Sequence, residues 1–596
     1  MGLSKLQLKR TFHLVWQSAP RWTIASIILV IIQGVLPLIT LYLMKLVIDA
    51  IASGITNPDK LEAFKDVAIL VAITGVVGLL ISISNSLAGF VREQQTELVT
   101  EYMNNLIHAK SIAVDLEYYE NPRYYDTLHR AQHEGPYRPT QIINGLVQTA
   151  QNGISLIAMA GLLFTFHWVV PFFLILTALP GISVRLRYSR RMYEYHRKQT
   201  PSERVALYLQ YLLTGQTHAK EVRTFGLGGF IINRFNDIRR LMRRERMDIV
   251  LRRSIYEMLA HTISTITVLG FYLFIAYRAV HGIITVGSLV MYYQAFQRGQ
   301  GAFTGLLNNL SSLYENSLFL NNLYEFLDLK PRLHQPIHPR HIPRPIRQGI
   351  VFDRVSFQYP SSDRKVLEDI TISISPGETI ALVGDNGAGK TTLIKLLLRL
   401  YDPTDGAILI DGTDIRDFRT TDLMREFSVI FQDYTRYHLT ARENIWFGNI
   451  ELPLYDERII LSARQAGIHN VIERLKNRYD TLLGKWLEDG EELSIGEWQK
   501  IALARAFLRD AQVVILDEPT SSMDAKSEYE VFKGLKELFA GRMVVLISHR
   551  FSTVRMADRI YVLNSGRIVE SGSHEELIRA GGRYARMFEM QARAYR

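Results

Sequence analysis

No cysteine occurs among the 596 residues. That one absence excludes disulfides, Cys-ligated zinc, iron–sulfur clusters and thiol catalysis. Charge is scarce as well: Asp, Glu, Lys and Arg make up 21% of the chain, and long stretches of the first half hold none. Residues 22–44, 67–91, 139–184, 258–277 and 279–297 are free of all four. A helix needs roughly 20 apolar residues to cross a hydrocarbon layer of about 30 Å. The 139–184 window has room for two such helices, joined by a turn near His167-Trp168. Six transmembrane helices are therefore expected near residues 22–48, 67–91, 143–166, 168–186, 256–279 and 280–312, in an all-α domain over residues 1–326. Ser4 to Ala19 mixes basic and apolar residues and reads as an interfacial helix leading into the first span.

What charge there is sits unevenly. Between Arg185 and Arg253 there are 17 Lys and Arg against 6 Asp and Glu, whereas the loop from Asp49 to Asp66 has 2 basic and 4 acidic residues. The excess of basic residues on one side of a membrane marks the cytoplasmic side, so both termini and the Arg-rich loop are expected there. The net charge of +10 is thereby accounted for without nucleic acid, and no nucleic-acid reading module accompanies it. The connections 92–138 and 185–253 are poor in glycine and read as helical stalks, each folded back near its middle. The turns are expected at Tyr119-Glu120-Asn121-Pro122 and at Gly226-Leu227-Gly228-Gly229. Polar residues Gln294, Gln297, Arg298, Gln300, Asn308 and Asn309 in the sixth span face either a cavity or another helix, because lipid exposure is costly.

Pro331, Pro336, Pro339, Pro343 and Pro345 then follow within fifteen residues. Proline lacks a donor and disfavours helix before it, so residues 327–348 are expected to form an extended linker. From 349 to 596 the pattern becomes strand, loop and helix, an α/β domain. Within it Thr379 to Val383 is a buried-strand run, followed by Gly384-Asp385-Asn386-Gly387-Ala388-Gly389-Lys390-Thr391-Thr392 and the helical run Leu393 to Leu400. G-x-x-x-x-G-K-T between a strand and a helix is the context of a phosphate-binding loop. Glycines let backbone N–H groups turn toward phosphate, and the helix N-terminus adds partial positive charge. Lys390 would reach the β- and γ-phosphates of ATP, and Thr391 would ligate Mg²⁺. Val513 to Leu516 is a second buried strand, ending in Asp517-Glu518. Asp517 is placed for the metal and Glu518 for the attacking water.

Leu493-Ser494-Ile495-Gly496-Glu497, just upstream of that strand, resembles the signature motif of ATP-binding cassette (ABC) proteins. Six spans followed by one cassette resemble a half-transporter of the exporter type over essentially the whole chain, a multi-domain fold of an all-α membrane domain and an α/β P-loop NTPase domain. The resemblance implies further roles, residue by residue. Tyr359 would stack on adenine. Gln432 would sense metal and attacking water, and Ser494 and Gly496 would touch the γ-phosphate. Asp524, in Ser521-Ser522-Met523-Asp524, would join two cassettes, and His549 would contact the γ-phosphate. Two residues depart from the usual signature: Ile495 stands where glycine is usual, and Glu497 where glutamine is common.

The resemblance further implies ATP hydrolysis in a homodimer with composite sites, in contact with lipid in a bacterial cytoplasmic membrane. The substrate would be a peptide, a lipid or an amphipathic drug-like compound. The Tyr119 to Asp126 stretch and Glu497-Trp498-Gln499-Lys500 are similar to peptide- and lantibiotic-exporting members. An ATP-gated channel and an importer component are the alternatives. A soluble ABC ATPase would share the motifs but lack the spans.

Overall fold

A computed structural model describes residues 8–121, 124, 127–128, 131–132, 135, 137–360, 362–518, 540–548 and 550–594. It divides into two compact units, residues 1–113 with 123–329, and residues 114–122 with 330–596.

The first unit is helical. Helix α1 (Leu8–Ser18) has apolar and basic sides and is followed by α2 (Pro20–Thr56), whose first residue is a proline, where its missing N–H costs nothing. Next comes α3 (Lys60–Ala113), 54 residues long. At 1.5 Å per residue it extends for about 80 Å, so the charge-free window 67–91 and the start of the connection that follows it form one uninterrupted helix. After the short α4 (Leu116–Tyr119), which lies in the second unit, come α5 (Arg138–Phe166), α6 (Val170–Thr214), α7 (Ala219–Thr224), α8 (Gly228–Val280) and α9 (Val286–Leu327).

Among the described residues, α2, α3, α5 and α8 are long and apolar enough to cross a membrane. Helices α6 and α9 cover the remaining charge-free windows. Outward-facing Ile31, Leu79, Ile83 and Leu273 are exposed. Inside, Leu41, Met159, Leu163, Leu174, Ala295 and Phe296 form a core. Gly34 lets α2 approach α5 closely, since a Cβ there would lie 2.5 Å from Ile154 Cγ2.

Three expectations about these helices shift. The sixth span does not begin at 280: residues 281–285 form a turn. Thr285 then caps α9 by accepting from the Ser288 N–H at 3.1 Å, while its hydroxyl donates to Asp49 at 2.9 Å. The fourth span likewise starts at Val170 rather than 168, after the turn at 167–169. Gly228 and Gly229 open helix α8 rather than a turn, because the reversal is completed earlier, around Gly226 at φ 62°. In the sixth span Gln300 donates to Ser264 of α8, a helix-packing role, while Arg298 is exposed.

The second unit holds two sheets. The first is antiparallel, in the order β2 (Lys365–Ile374), β1 (Ile350–Gln358), β4 (Asp405–Ile410), β5 (Thr413–Asp414). The second has the order β10 (Arg567–Gly572), β9 (Arg559–Asn564), β3 (Thr379–Gly384), β8 (Met543–Ile547), β7 (Val513–Asp517), β6 (Phe427–Ile430). All its neighbours are parallel except the β9–β10 hairpin. Strands β3, β7 and β8 are buried along their whole length, which is why their sequences read as continuous apolar runs. The proline-rich segment has no helix or strand, yet it is docked. Fully buried Arg399 donates to the carbonyls of His334 at 2.6 Å and Phe418 at 2.8 Å, tying the linker to the cassette.

Candidate functional site

Ligand sites in open parallel sheets form beyond the carboxyl ends of the strands. Strand β3 ends at Gly384, the loop runs from Asp385 to Gly389, and helix α10 (Lys390–Leu397) begins directly behind it. Gly389 has φ 109°, and a Cβ there would sit 2.5 Å from Leu367 Cδ2, so only glycine closes this turn. Asp385, Asn386 and Gly387 are exposed at the loop crest, whereas Ala388, Gly389 and Lys390 are buried beneath it. Lys390 Nζ donates to the carbonyls of Gly384 at 2.7 Å and Asp385 at 3.0 Å. Burial pulls its pKa down, against the opposing pull of Glu518, Asp517 and Asp385. The lysine thus caps its own loop.

Two strands along, β7 delivers Asp517 to the same edge of the sheet. Burial first, and the neighbouring Glu518 charge second, push the Asp517 carboxyl up to about 6, while a hydrogen bond from the Thr391 hydroxyl draws it down. The last residue described on this strand's exit, Glu518, stands at φ 50°, a left-handed backbone rare outside glycine. Its N–H donates to Ile547 O at 2.9 Å, and its carboxylate accepts from Gln432 Nε2 at 3.2 Å. Gln499, on helix α11 (Ile495–Leu508), donates to the Glu518 carbonyl at 3.3 Å. Glu518, Gln432, Asp517, Thr391 and Lys390 are therefore gathered at one edge. Their hard oxygen donors suit a magnesium ion, whose charge would relieve the repulsion between adjacent carboxylates.

Tyr359 lies at the end of β1, its hydroxyl 3.1 Å from that of Thr392 and its ring edge-on to Phe357 and Tyr401. Lys395 Nζ is 5.4 Å from the Tyr359 ring centre and 2.6 Å from Glu120 of the stalk tip, which also accepts from Tyr401 at 2.5 Å. Sequence reasoning missed Glu120, Lys395 and Tyr401; no local pattern links residues 275 positions apart.

The signature residues sit elsewhere. Ser494 caps α11, its hydroxyl donating to Glu497 at 2.8 Å while the Glu497 N–H returns a bond at 3.4 Å. Glu497 thus completes a capping box, a reason for a carboxylate at that position which S-x-x-E already signals in the sequence. Ile495 is exposed, Gly496 is half-buried in the first turn, and Trp498 is fully buried, donating to Glu492 at 3.1 Å. Among the described residues, no hydrogen bond joins Ser494 to the phosphate loop. Ser521 to Asp524 and His549 lie outside the described residues.

The sequence profile of the ABC transporter family matches residues 367–521, from β2 through the phosphate loop and the signature helix. Over 601 aligned residues the chain is 32% identical to the subtilin transport ATP-binding protein SpaT of Bacillus subtilis, covering 98% of this chain and 94% of that one. The chain belongs to the ABC transporter family. This ABC transporter is also 27% identical to the nisin transport ATP-binding protein NisT of Lactococcus lactis subsp. lactis, over 98% of its length and 96% of the relative's. Its fold matches the solved structure of a bacterial Atm1-family ABC exporter with ATP bound, at a TM-score of 0.81 and 24% identity, over 96% of this chain and 98% of the other. It is a membrane-spanning transporter whose cassette binds and hydrolyses ATP to drive transport.

Proposed function

We propose that this ABC transporter exports a peptide from the cytoplasm, working as a homodimer whose ATP sites are shared between two cassettes. The observation that carries the substrate class is the end-to-end match to two proteins named for subtilin and nisin transport. The Arg-rich connection 185–253 supports a cytoplasmic cassette and cytoplasmic termini, and the exposed apolar faces of α2, α3 and α8 are what lipid would cover.

In the ATP site, Lys390 exchanges the carbonyls of Gly384 and Asp385 for the β- and γ-phosphates. Backbone N–H groups of the 385–392 loop and helix start hold the remaining phosphate oxygens, and Tyr359 stacks on adenine. Thr391, Asp517 and Gln432 would hold Mg²⁺, which would supply charge neutralisation for phosphoryl transfer. Glu518 polarises the attacking water, and Gln432 fixes the orientation of that carboxylate. His549 contacts the γ-phosphate, and Asp524 serves the contact between cassettes. Ser494 and Gly496 of a second copy close over the nucleotide. Closure and reopening of the paired cassettes alternate the access of the membrane helices.

Inside-out membrane vesicles containing the full chain test the substrate class. A labelled lantibiotic-type precursor peptide, a labelled phospholipid and an amphipathic dye are each offered with and without ATP. ATP-dependent accumulation of the peptide is expected. Movement of lipid or dye without peptide overturns the peptide assignment, and ion current without accumulation overturns the transporter mechanism in favour of a channel.

A further inference from the structure

The phosphate loop carries a negative charge of its own. Asp385, the second residue of the motif, is exposed beside the place where a triphosphate binds. A free carboxylate at that position repels the ligand. The chain supplies a counter-charge from nearly two hundred residues away: the Arg583 guanidinium is hydrogen-bonded to the Asp385 carboxylate. Arg583 is the first residue of α13 (Arg583–Ala594), which follows α12 (His574–Ala580) and the Gly581-Gly582 turn.

The helix that carries Arg583 is held in place independently of this ion pair. Glu570 of β10 caps its N-terminus, accepting from the N–H groups of Arg583 and Tyr584. Tyr584 is fully buried, its hydroxyl 2.7 Å from His574 Nδ1. Phe551 packs edge-on against Tyr584 and Phe588, with ring centres 5.4 and 5.2 Å apart, and its N–H donates to Gln591 at 3.3 Å. An apolar anchor therefore positions Arg583, so neutralising its charge leaves the helix docked. The pair itself is partly exposed, with side chains 33% and 62% accessible, so it adds little to folding. Its effect is on what approaches the loop.

We propose that Arg583 is a positioning residue for ATP: it neutralises Asp385 and draws that carboxylate aside, which keeps the mouth of the phosphate loop favourable to a polyanion. The inference rests on the cassette's ATP binding and predicts a defect in nucleotide affinity that depends on Asp385.

Equilibrium binding of a fluorescent trinitrophenyl-ATP to the full-length protein in detergent, at low temperature, tests it. Arg583→Gln should weaken binding by about five- to tenfold at low salt, with the loss shrinking as salt screens the exposed carboxylate. Arg583→Gln combined with Asp385→Asn should restore affinity to within about twofold of the unmodified protein. A charge swap, Arg583→Asp with Asp385→Arg, should bind better than Arg583→Asp alone. Unchanged affinity in Arg583→Gln overturns the proposal. So does a loss that Asp385→Asn leaves uncorrected, since that is the signature of an undocked helix rather than an unbalanced charge. Failure of the unmodified protein to bind would instead count against the ATP site itself.

Discussion

The side-chain amide of Gln432 donates to the carboxylate of Glu518 across 3.2 Å, joining a loop after β6 to the end of β7. Glu518 is held there on a left-handed backbone, with its own N–H and carbonyl also engaged. With its backbone fixed on both sides and its carboxylate held by Gln432, Glu518 is oriented before substrate arrives. Gln432→Ala should therefore lower the ATPase turnover number by about tenfold or more, with nucleotide affinity much less affected. Steady-state kinetics with a parallel binding titration check this; a fall in affinity matching the fall in rate would contradict it.

Asp517 gives a stability prediction with a pH sign. Its folded-state value of about 6 lies above the ordinary 3.8, so the ionised carboxylate disfavours the fold. That cost is fully present above about pH 6 and absent below about pH 4. Asp517→Asn should remove it, raising the cassette's melting transition by about 5–10 °C at neutral pH. The advantage should fade as pH falls from 6 to 4, while ATPase activity is lost. A variant melting below the unmodified protein at neutral pH contradicts the electrostatic account.

The stalk tip offers a third test. Glu120 accepts from both Lys395 and Tyr401 within the cassette unit. Glu120→Ala removes both bonds, a loss of about 1 kcal/mol after solvent screening. Amide hydrogen exchange over residues 114–121 should accelerate about fivefold. Exchange at the unmodified rate would show that other contacts hold the tip.

Mixed dimers test the shared ATP sites. Differently tagged copies are co-expressed and purified through both tags. In one dimer, one copy carries Lys390→Ala and the other Ser494→Arg; shared sites place both lesions in one site and spare the other. In the second dimer, one copy carries both substitutions and its partner none, which damages both sites. The first should hydrolyse about as much as one intact site allows and the second far less. The reverse order would contradict the arrangement.

Much of this was legible in the sequence because the signals are local. Charge-free windows of about twenty residues mark spans whatever surrounds them. The glycine spacing of residues 384–389, between an apolar strand and a helix, specifies a loop with little help from elsewhere. Reversals were harder. Gly228-Gly229 reads as a turn by composition, yet a run of helix-forming residues recruits both glycines into α8. Glu497 reads as a departure from a motif, although the S-x-x-E spacing explains it as a cap. The Arg583–Asp385 and Glu120–Lys395 pairs, 198 and 275 positions apart, leave no local pattern because tertiary structure alone brings them together.

The central claim is that hydrolysis at Glu518 drives this transporter. Phosphate release by the purified Glu518→Gln variant, measured beside its ATP binding, tests that claim most directly. The account predicts binding within about twofold of the unmodified protein and turnover reduced by about a hundredfold or more. A rate within about threefold of the unmodified protein would contradict it.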